Sequence, residues 1–376
     1  MDNLIIYDTS NFVDFPIGGQ LTSIRNFLIY LTEIDEEIIN KVMLVGITNE
    51  KEHVGKLSNV SINDIKIDFI PVVYRNADLK NVQSSLRLEF VKGLFKYNHL
   101  IPCTKNSFHY IHTPEAFIQI KLCHPFSKIA TFSHGSFYNM TQGFRFFQNN
   151  RIVEKLFNLF LKCLIKKSDI IFCLDDESVN QYKRYNYNVY KVDNSIILPQ
   201  EKIEKKLHCP MELLFVGRLS KVKQIDEIIY AIDGKEDMRL TIVGDGEEYD
   251  YLTGIVEGSN IHFVGAVNQK QVQEYMKKAD ALILNSFVEG KPMTIIEAES
   301  YGLPIITTNV GGIGELVEFN KNAIETDGKS NTIQKAIFDI GKQYEYYSEK
   351  SLEISKKFDY RKVNQFIFMK LKKQFE

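Results

Sequence analysis

A chain of 376 residues is too long for one ordinary hydrophobic core, so two domains of roughly 150–200 residues are expected. With 44% hydrophobic and 25% charged residues the composition is that of a globular protein, and a formal net charge of −2 excludes a global attraction to nucleic acid or anionic lipid. Any electrostatic partner must be met by a local patch. Five scattered cysteines, Cys103, Cys123, Cys163, Cys173 and Cys209, form no Cys-x-x-Cys pair. They fit reduced thiols in a cytoplasmic protein better than a disulfide framework or a zinc site. The opening MDNLIIYDTS has a short apolar run between Asp2 and Asp8 and no basic leader, so no signal peptide is expected. The run Leu156–Ile165 is interrupted by Asn158 and Lys162 and is too short to span a bilayer.

Short apolar runs alternate with helical-period segments, the pattern of a parallel sheet wrapped by helices. Leu4–Tyr7 reads as a strand, followed by a Gly18-Gly19 loop and a helix carrying Leu21, Ile24, Phe27, Leu28 and Leu31. Further strands are predicted at Val42–Ile47, Ile65–Val73, Ile129–Phe132 and Ile170–Leu174. Asn194–Pro210, with its EKIEKKL stretch, reads as a linker. From Glu212 a clearer alternation begins: ELLFVGRL, LTIVGDG, IHFVGAV, ALILNS and PIITTNV are predicted strands, with helices from about Gln224, Glu247, Gln269 and Pro292. The stretch from Phe358 to Phe375 reads as a basic and aromatic helix. The expected domains are therefore 1–195 and 196–357, with 358–376 packing back on the first.

The residues that carry chemistry follow the predicted strands of the second domain, where an open α/β sheet places its ligands. These are Gly217, Arg218 and Lys223; Gly244-Asp245-Gly246; Glu289-Gly290-Lys291-Pro292 with Glu297; and Gly311-Gly312-Ile313-Gly314. Pro292 suits the first helical position, which leaves the amides of Met293 and Thr294 as a seat for a phosphate. Carboxylates are acceptors only, so Glu289 and Glu297 beside such a seat suit a ligand with hydroxyls as well as phosphates. Taken singly, a Gly-x-Gly is a tight turn, paired glutamates at a helix start match its dipole, and Arg218 and Lys223 are surface charges. Their shared position after successive strands of one sheet favours a binding site.

VGRLSKVK (Val216–Lys223), IVGDGEE (Ile242–Glu248), FVGAV (Phe263–Val267), EGKPMTIIEAESYGLPII (Glu289–Ile306) and VGGIGELV (Val310–Val317) together resemble the donor domain of family 4 of the retaining GT-B glycosyltransferases (glycosyl transferases group 1). PIGGQ (Pro16–Gln20), FSHGSF (Phe132–Phe137) and KKSDIIFCLDDES (Lys166–Ser178) extend the resemblance less strongly into the first half. The fold it implies is α/β GT-B, two Rossmann-like doubly wound domains facing across a cleft. The resemblance assigns Arg218 and Lys223 to the donor diphosphate, Glu297 to the ribose hydroxyls and Glu289 to the transferred sugar. It places Val264 and Val267 at the base, and Gly18, Gly19, Gly217, Gly244, Gly290, Met293 and Thr294 along the donor. His134 would face the sugar and acceptor, with His109 and His112 as further candidates. Where relatives often have Phe-Gly this chain has Lys291-Pro292, and Gln224 stands where Gly is usual.

The function so implied is retaining, metal-independent transfer of a hexose from a nucleotide-diphosphate sugar, UDP- or GDP-linked, to a glycan or lipid-linked acceptor. Synthesis of a cell-surface polysaccharide (capsule, O-antigen or exopolysaccharide) is the expected context, with no cofactor beyond the donor substrate and no nucleic-acid partner. Alternatives are a GT-B nucleotide-sugar epimerase, which needs no acceptor, and a non-catalytic GT-B partner subunit. The segment 144–167 places Arg151, Lys155, Lys162 and Lys166 on one helical stripe, displaced from Val153, Phe157, Phe160 and Leu164. This reads either as a core helix with a solvated basic face or as a peripheral contact with the inner face of an anionic plasma membrane.

Overall fold

The computed structural model describes residues 2–13, 19–34, 36–62, 64–75, 86–135, 151–201 and 203–374. The chain divides into two compact units, Met1–Ser195 with Tyr360–Glu376, and Ile196–Asp359.

The first unit holds one sheet built from β1 (Leu4–Tyr7), β2 (Val42–Thr48), β3 (Ser58–Ile62), β4 (Ile65–Tyr74), β5 (Phe108–Ile111), β6 (Lys128–Ser133), β7 (Ile170–Cys173) and β8 (Val189–Lys191). Their order is β3-β4-β2-β1-β5-β6-β7-β8. All pairs are parallel except β3 with β4. Helices cover both faces, so alternate residues of a single strand enter different cores. Leu4 and Ile6 join Leu44 and Phe108 on one face, while Ile5 and Tyr7 join Met43 and Val45 on the other. This two-sided burial is why β1 reads as an unbroken apolar run.

The second unit contains β9 (Met211–Val216), β10 (Met238–Val243), β11 (Ile261–Gly265), β12 (Ala281–Leu284), β13 (Ile305–Thr308) and β14 (Ala323–Thr326), ordered β11-β10-β9-β12-β13-β14. Every pairing is parallel. Four strands escape the sequence pattern: β3, β5, β8 and β14. SNVSI is a partly exposed edge strand, FHYI carries a buried histidine, and VYK and AIET are short strands that end their sheets.

The predicted linker is narrower than expected. Ser195 belongs to the first unit, where Asn26 Nδ2 donates to its carbonyl at 2.6 Å. Ile196 belongs to the second, its amide donating to the Phe358 carbonyl at 2.8 Å. Lys205, from the charged stretch, donates to the carbonyls of Met276, Lys277 and Ala279 at 3.0, 2.6 and 2.6 Å. It thereby satisfies the orphan acceptors that end the Gln269–Lys278 helix.

The Tyr360–Lys372 helix lies in the first unit and adds Tyr360, Ile367 and Leu371 to its core. Arg361 Nε and Nη2 grip the Glu33 carboxylate at 2.9 and 3.0 Å, and the Tyr360 hydroxyl donates to it as well.

In the Arg151–Lys167 helix, Leu161, Leu164 and Ile165 are buried and Phe157 and Phe160 pack against the same core. Lys155, Lys162 and Lys166 are exposed, as are Ile152, Leu156 and Leu159. Residues 144–150 and the side chains of Arg151 and Val153 lie outside the described residues. All five cysteines are free. Among the described residues no helix is long and apolar enough to cross a membrane.

Ile367 is 2% exposed, so Ile367→Ala should lower the stability of the first unit by about 2–5 kcal/mol. Arg361→Ala, which breaks an exposed ion pair, should cost under about 1 kcal/mol. Urea unfolding followed in each variant checks the contrast, and equal losses would contradict it.

Candidate donor-binding site

In an open α/β sheet, the crevice for a ligand opens at the carboxyl ends of the strands where their order reverses. In the second unit that point lies between β9 and β12. The loop after β9 runs through Gly217 and Arg218 into a single 3-10 turn, Lys221–Lys223. The loop after β12 carries Ser286 and Glu289 and enters the Met293–Ser300 helix. Backbone hydrogen bonds lock the loops together: the Phe287 amide donates to the Val222 carbonyl at 2.8 Å and the Leu219 amide to the Asp245 carbonyl at 3.0 Å. Two glycines permit the close approach. A Cβ on Gly244 (φ 144°) would stand 1.8 Å from the Gly217 carbonyl oxygen, and one on Gly311 (φ 57°) 1.8 Å from that of Glu289. No side chain fits at either point.

This framework brings Lys223 and Glu289 into a direct ion pair, their side chains 20% and 10% exposed. Ser286 Oγ donates to the same Glu289 oxygen at 2.7 Å. A cation is thus held at the switch point by a single carboxylate. Arg218 pairs with Glu247 at 3.0 Å, but those side chains are 74% and 53% exposed. Such a pair contributes little and parts readily for a better anion. Lys291 is tied down: its side chain is 2% exposed and its Nζ lies 2.7 Å from Glu315 Oε2. Together with the Gly312 amide donating to the Gly290 carbonyl at 2.8 Å, this fixes the loop in place of the Phe-Gly of relatives.

The reading of Pro292 needs correction. It is not the first helical residue but the cap before it, extended at ψ 119°, and its carbonyl accepts from the Ile295 amide at 3.3 Å. The pinned Lys291 and Gly290 hold the chain extended up to that point. The helix therefore begins at Met293, whose amide and that of Thr294 precede the first internal hydrogen bond and have no helical partner.

Glu297 is half-buried and accepts from Gln269 Nε2 at 3.1 Å. Burial pushes its carboxyl up to about 7, and the Gln269 bond opposes that rise. Gln269, absent from the sequence-based candidates, opens a helix whose start is fixed by a reciprocal Asn268–Gln271 capping box. That Asn-x-x-Gln pattern was the available signal. Val264 and Val267 are half-buried on the core of the unit; Gly290 is exposed and Gly217 half-buried. The structure joins Lys223 to Glu289 but shows no direct contact of either with Arg218 or Glu297.

In the first unit the order reverses between β1 and β5. Gly18 lies outside the described residues, and Gly19 opens the Gly19–Ile34 helix. His134 Nε2 lies 2.8 Å from His112 Nδ1, and its ring stacks on Phe132 with centroids 4.4 Å apart. Burial pushes His134 down to about 3 and lowers His112 as well, so both imidazoles are neutral near pH 7. His109 is a core residue: fully buried, with Nδ1 2.8 Å from the Tyr7 hydroxyl. Asp8, directly after β1, accepts from Gln20 and is pushed up to about 6 by burial. The polar residue closing the LIIYD run was the signal for it.

Two Rossmann-like units, each with polar side chains at its order reversal, are the construction of the GT-B fold, and solved structures agree. Sucrose-phosphate synthase from Thermosynechococcus elongatus superposes with a TM-score of 0.75 over 100% of this chain and 99% of its own, at 15% identity. HepE from Anabaena, solved in complex with UDP, gives 0.67 over 99% and 100%, at 14% identity. Residues 199–352 match the glycosyl transferases group 1 family. The O-antigen biosynthesis glycosyltransferase WbnH of Escherichia coli is 30% identical over 227 residues, 58% of this chain and 64% of WbnH. The chain therefore spans a little under two thirds of that relative's length.

A carboxyl raised from 4.5 to about 7 in the native state favours folding at low pH. That contribution is full below its unfolded value and is lost as the pH rises through about 7. Glu297→Gln should therefore raise the melting temperature at about pH 8, with the gain gone by about pH 4.5. Thermal melts across that range test this, and a pH-independent difference would count against it.

Proposed function

We propose that this chain transfers a sugar from a UDP- or GDP-linked donor to a hydroxyl of a glycan or lipid-linked acceptor, with retention, in the synthesis of a cell-surface polysaccharide. The observation that carries the reading is Lys223, held by Glu289 and Ser286 at the switch point of a group 1 domain, ahead of the free amides of Met293 and Thr294. The name of the Escherichia coli relative supports the polysaccharide context.

In this reaction the bond between the anomeric carbon and the diphosphate oxygen breaks, and its electron pair leaves with the phosphate. The acceptor oxygen bonds to the same face of the carbon, and its proton passes to the departing phosphate oxygen. Arg218 and Lys223 offset the charge that develops there, the step in which electrostatic stabilisation counts most. This assigns to two side chains the work that a metal would otherwise do. Glu297, once ionised, accepts from the ribose hydroxyls, and the second oxygen of Glu289 accepts from the transferred sugar. His134, being neutral, hydrogen-bonds to hydroxyls without adding charge.

Losing one charged hydrogen bond costs about 1.5–3 kcal/mol, and each ~1.4 kcal/mol is tenfold in rate. Arg218→Ala and Lys223→Ala should each lower turnover by about one to two orders of magnitude, in assays of product from UDP- and GDP-sugars that also contain EDTA. Near-normal turnover in both variants would refute the assignment, and abolition by EDTA would refute the metal-free step. Product formed from the donor alone would identify an epimerase instead.

A peripheral contact with an anionic membrane, at the cytoplasmic face, fits the Arg151–Lys167 helix. What favours it is the exposure of Ile152, Leu156 and Leu159 among Lys155, Lys162 and Lys166, an apolar stripe flanked by cations. Co-sedimentation should increase with the anionic content of vesicles and fall in Leu156→Ser/Leu159→Ser. Binding indifferent to lipid charge would remove this reading.

A further inference from the structure

Gln224 occupies the left-handed region, φ 44° and ψ 46°, where a side chain is unfavourable and glycine is the usual choice. Neighbouring groups hold it there. Asn285 Nδ2 donates to the Gln224 carbonyl at 3.3 Å and to the Gly328 carbonyl at 3.0 Å. The residue is only 8% exposed, and among the described residues its side-chain amide has no hydrogen-bond partner. A strained backbone that carries an unpartnered amide open to a cavity is an outlier that points to a function.

That amide lines a cavity of about 600 Å³ contained within the second unit, a size suited to a small ligand. Lys221, Asp226, Glu248, Tyr251 and Phe287 line it too. Tyr251 and Phe287 are 48% and 65% exposed, so both rings present open surface. The Lys221–Lys223 turn separates the cavity from the ion pair: Lys221 faces the cavity and Lys223 is engaged by Glu289. Two further charged wall residues, Glu227 and Lys329, pair with each other at 3.3 Å, and Glu227 also accepts from the Ser330 amide.

The chemistry of the lining is selective. Asp226 and Glu248 only accept hydrogen bonds, Lys221 only donates, and the Gln224 amide does both. Two carboxylates disfavour a phosphate, and the ammonium disfavours a cation. A ring bearing several hydroxyls satisfies all four groups, and its C–H faces find flat apolar surface on the two aromatic rings. We propose that this cavity binds a saccharide ring, whose hydroxyls the Gln224 amide reads. That the ring belongs to the acceptor glycan rests on the transfer reaction proposed above; the site itself does not.

Saturation-transfer NMR on the full chain tests it, with methyl glycosides of glucose, galactose and N-acetylglucosamine and the corresponding disaccharides as probes, each with and without UDP or GDP. At least one glycoside should bind, and neither nucleotide should displace it. Affinity should fall about tenfold in Gln224→Gly and in Tyr251→Ala. Gln224→Gly relieves the backbone and should melt no lower than the parent, so its loss of binding is not a loss of fold. Preference for a disaccharide would assign a glycan chain, and equal binding a free sugar. The proposal is overturned if no glycoside binds, if UDP or GDP displaces those that do, or if Gln224→Gly binds like the parent. Failure of both nucleotides to bind the parent would instead strike the donor reading, leaving the glycoside result to judge the cavity.

Discussion

The second unit depends on the reversal of strand order between β9 and β12, which leaves the loops after these strands facing one another with no crossover between them. Three contacts join them: a backbone bond from Phe287 to Val222, the Asn285 amide on the Gln224 carbonyl, and the ion pair of Lys223 with Glu289. The pair is mostly withdrawn from water, so each charge needs the other. An anion arriving there meets an ammonium that is already positioned. Arg218 is the opposite case, an exposed charge on an exposed partner, free to swing toward an anion at small cost.

Burial sorts carboxyls that look alike in sequence. Glu297 and Glu299 lie two residues apart on the Met293–Ser300 helix. Glu299 is fully buried, bonded to Asn322 Nδ2 at 2.6 Å and raised well above the usual range by desolvation, which suits a neutral core group. Glu297 is half-buried, with Gln269 on one oxygen, and so remains the one open to a ligand. Helical spacing puts them on different faces; only the packing says which face is wet.

Much of the fold was legible because a sheet covered on both faces writes its strands as apolar runs, as LIIY and ALIL do. The edge strand SNVSI and the four-residue AIET bury too little to write that pattern. Gly244 and Gly311 were legible as motif glycines for a reason that the backbone clashes make explicit. Lys291 was not: a lysine in a loop reads as solvated, and its near-complete burial depends on Glu315, which reaches it from a loop more than twenty residues downstream. Gln224 looked like a local change at a helix start. Its conformation depends on Asn285, sixty-one residues away, a contact that no local pattern records. The positions of the candidate residues after the strands were legible, while their partners were not, since partnership is a property of the folded chain.

The Tyr360–Lys372 helix has a consequence for biosynthesis. The second unit, Ile196–Asp359, is continuous, whereas the first is assembled from segments on either side of it. On a ribosome the whole of the second unit emerges before Tyr360, Ile367 and Leu371 become available to the first unit's core. The usual order, in which the N-terminal domain is finished first, is therefore reversed for the final step. The unit that begins the chain is the last to be completed, and until then it exposes the apolar groove that this helix covers.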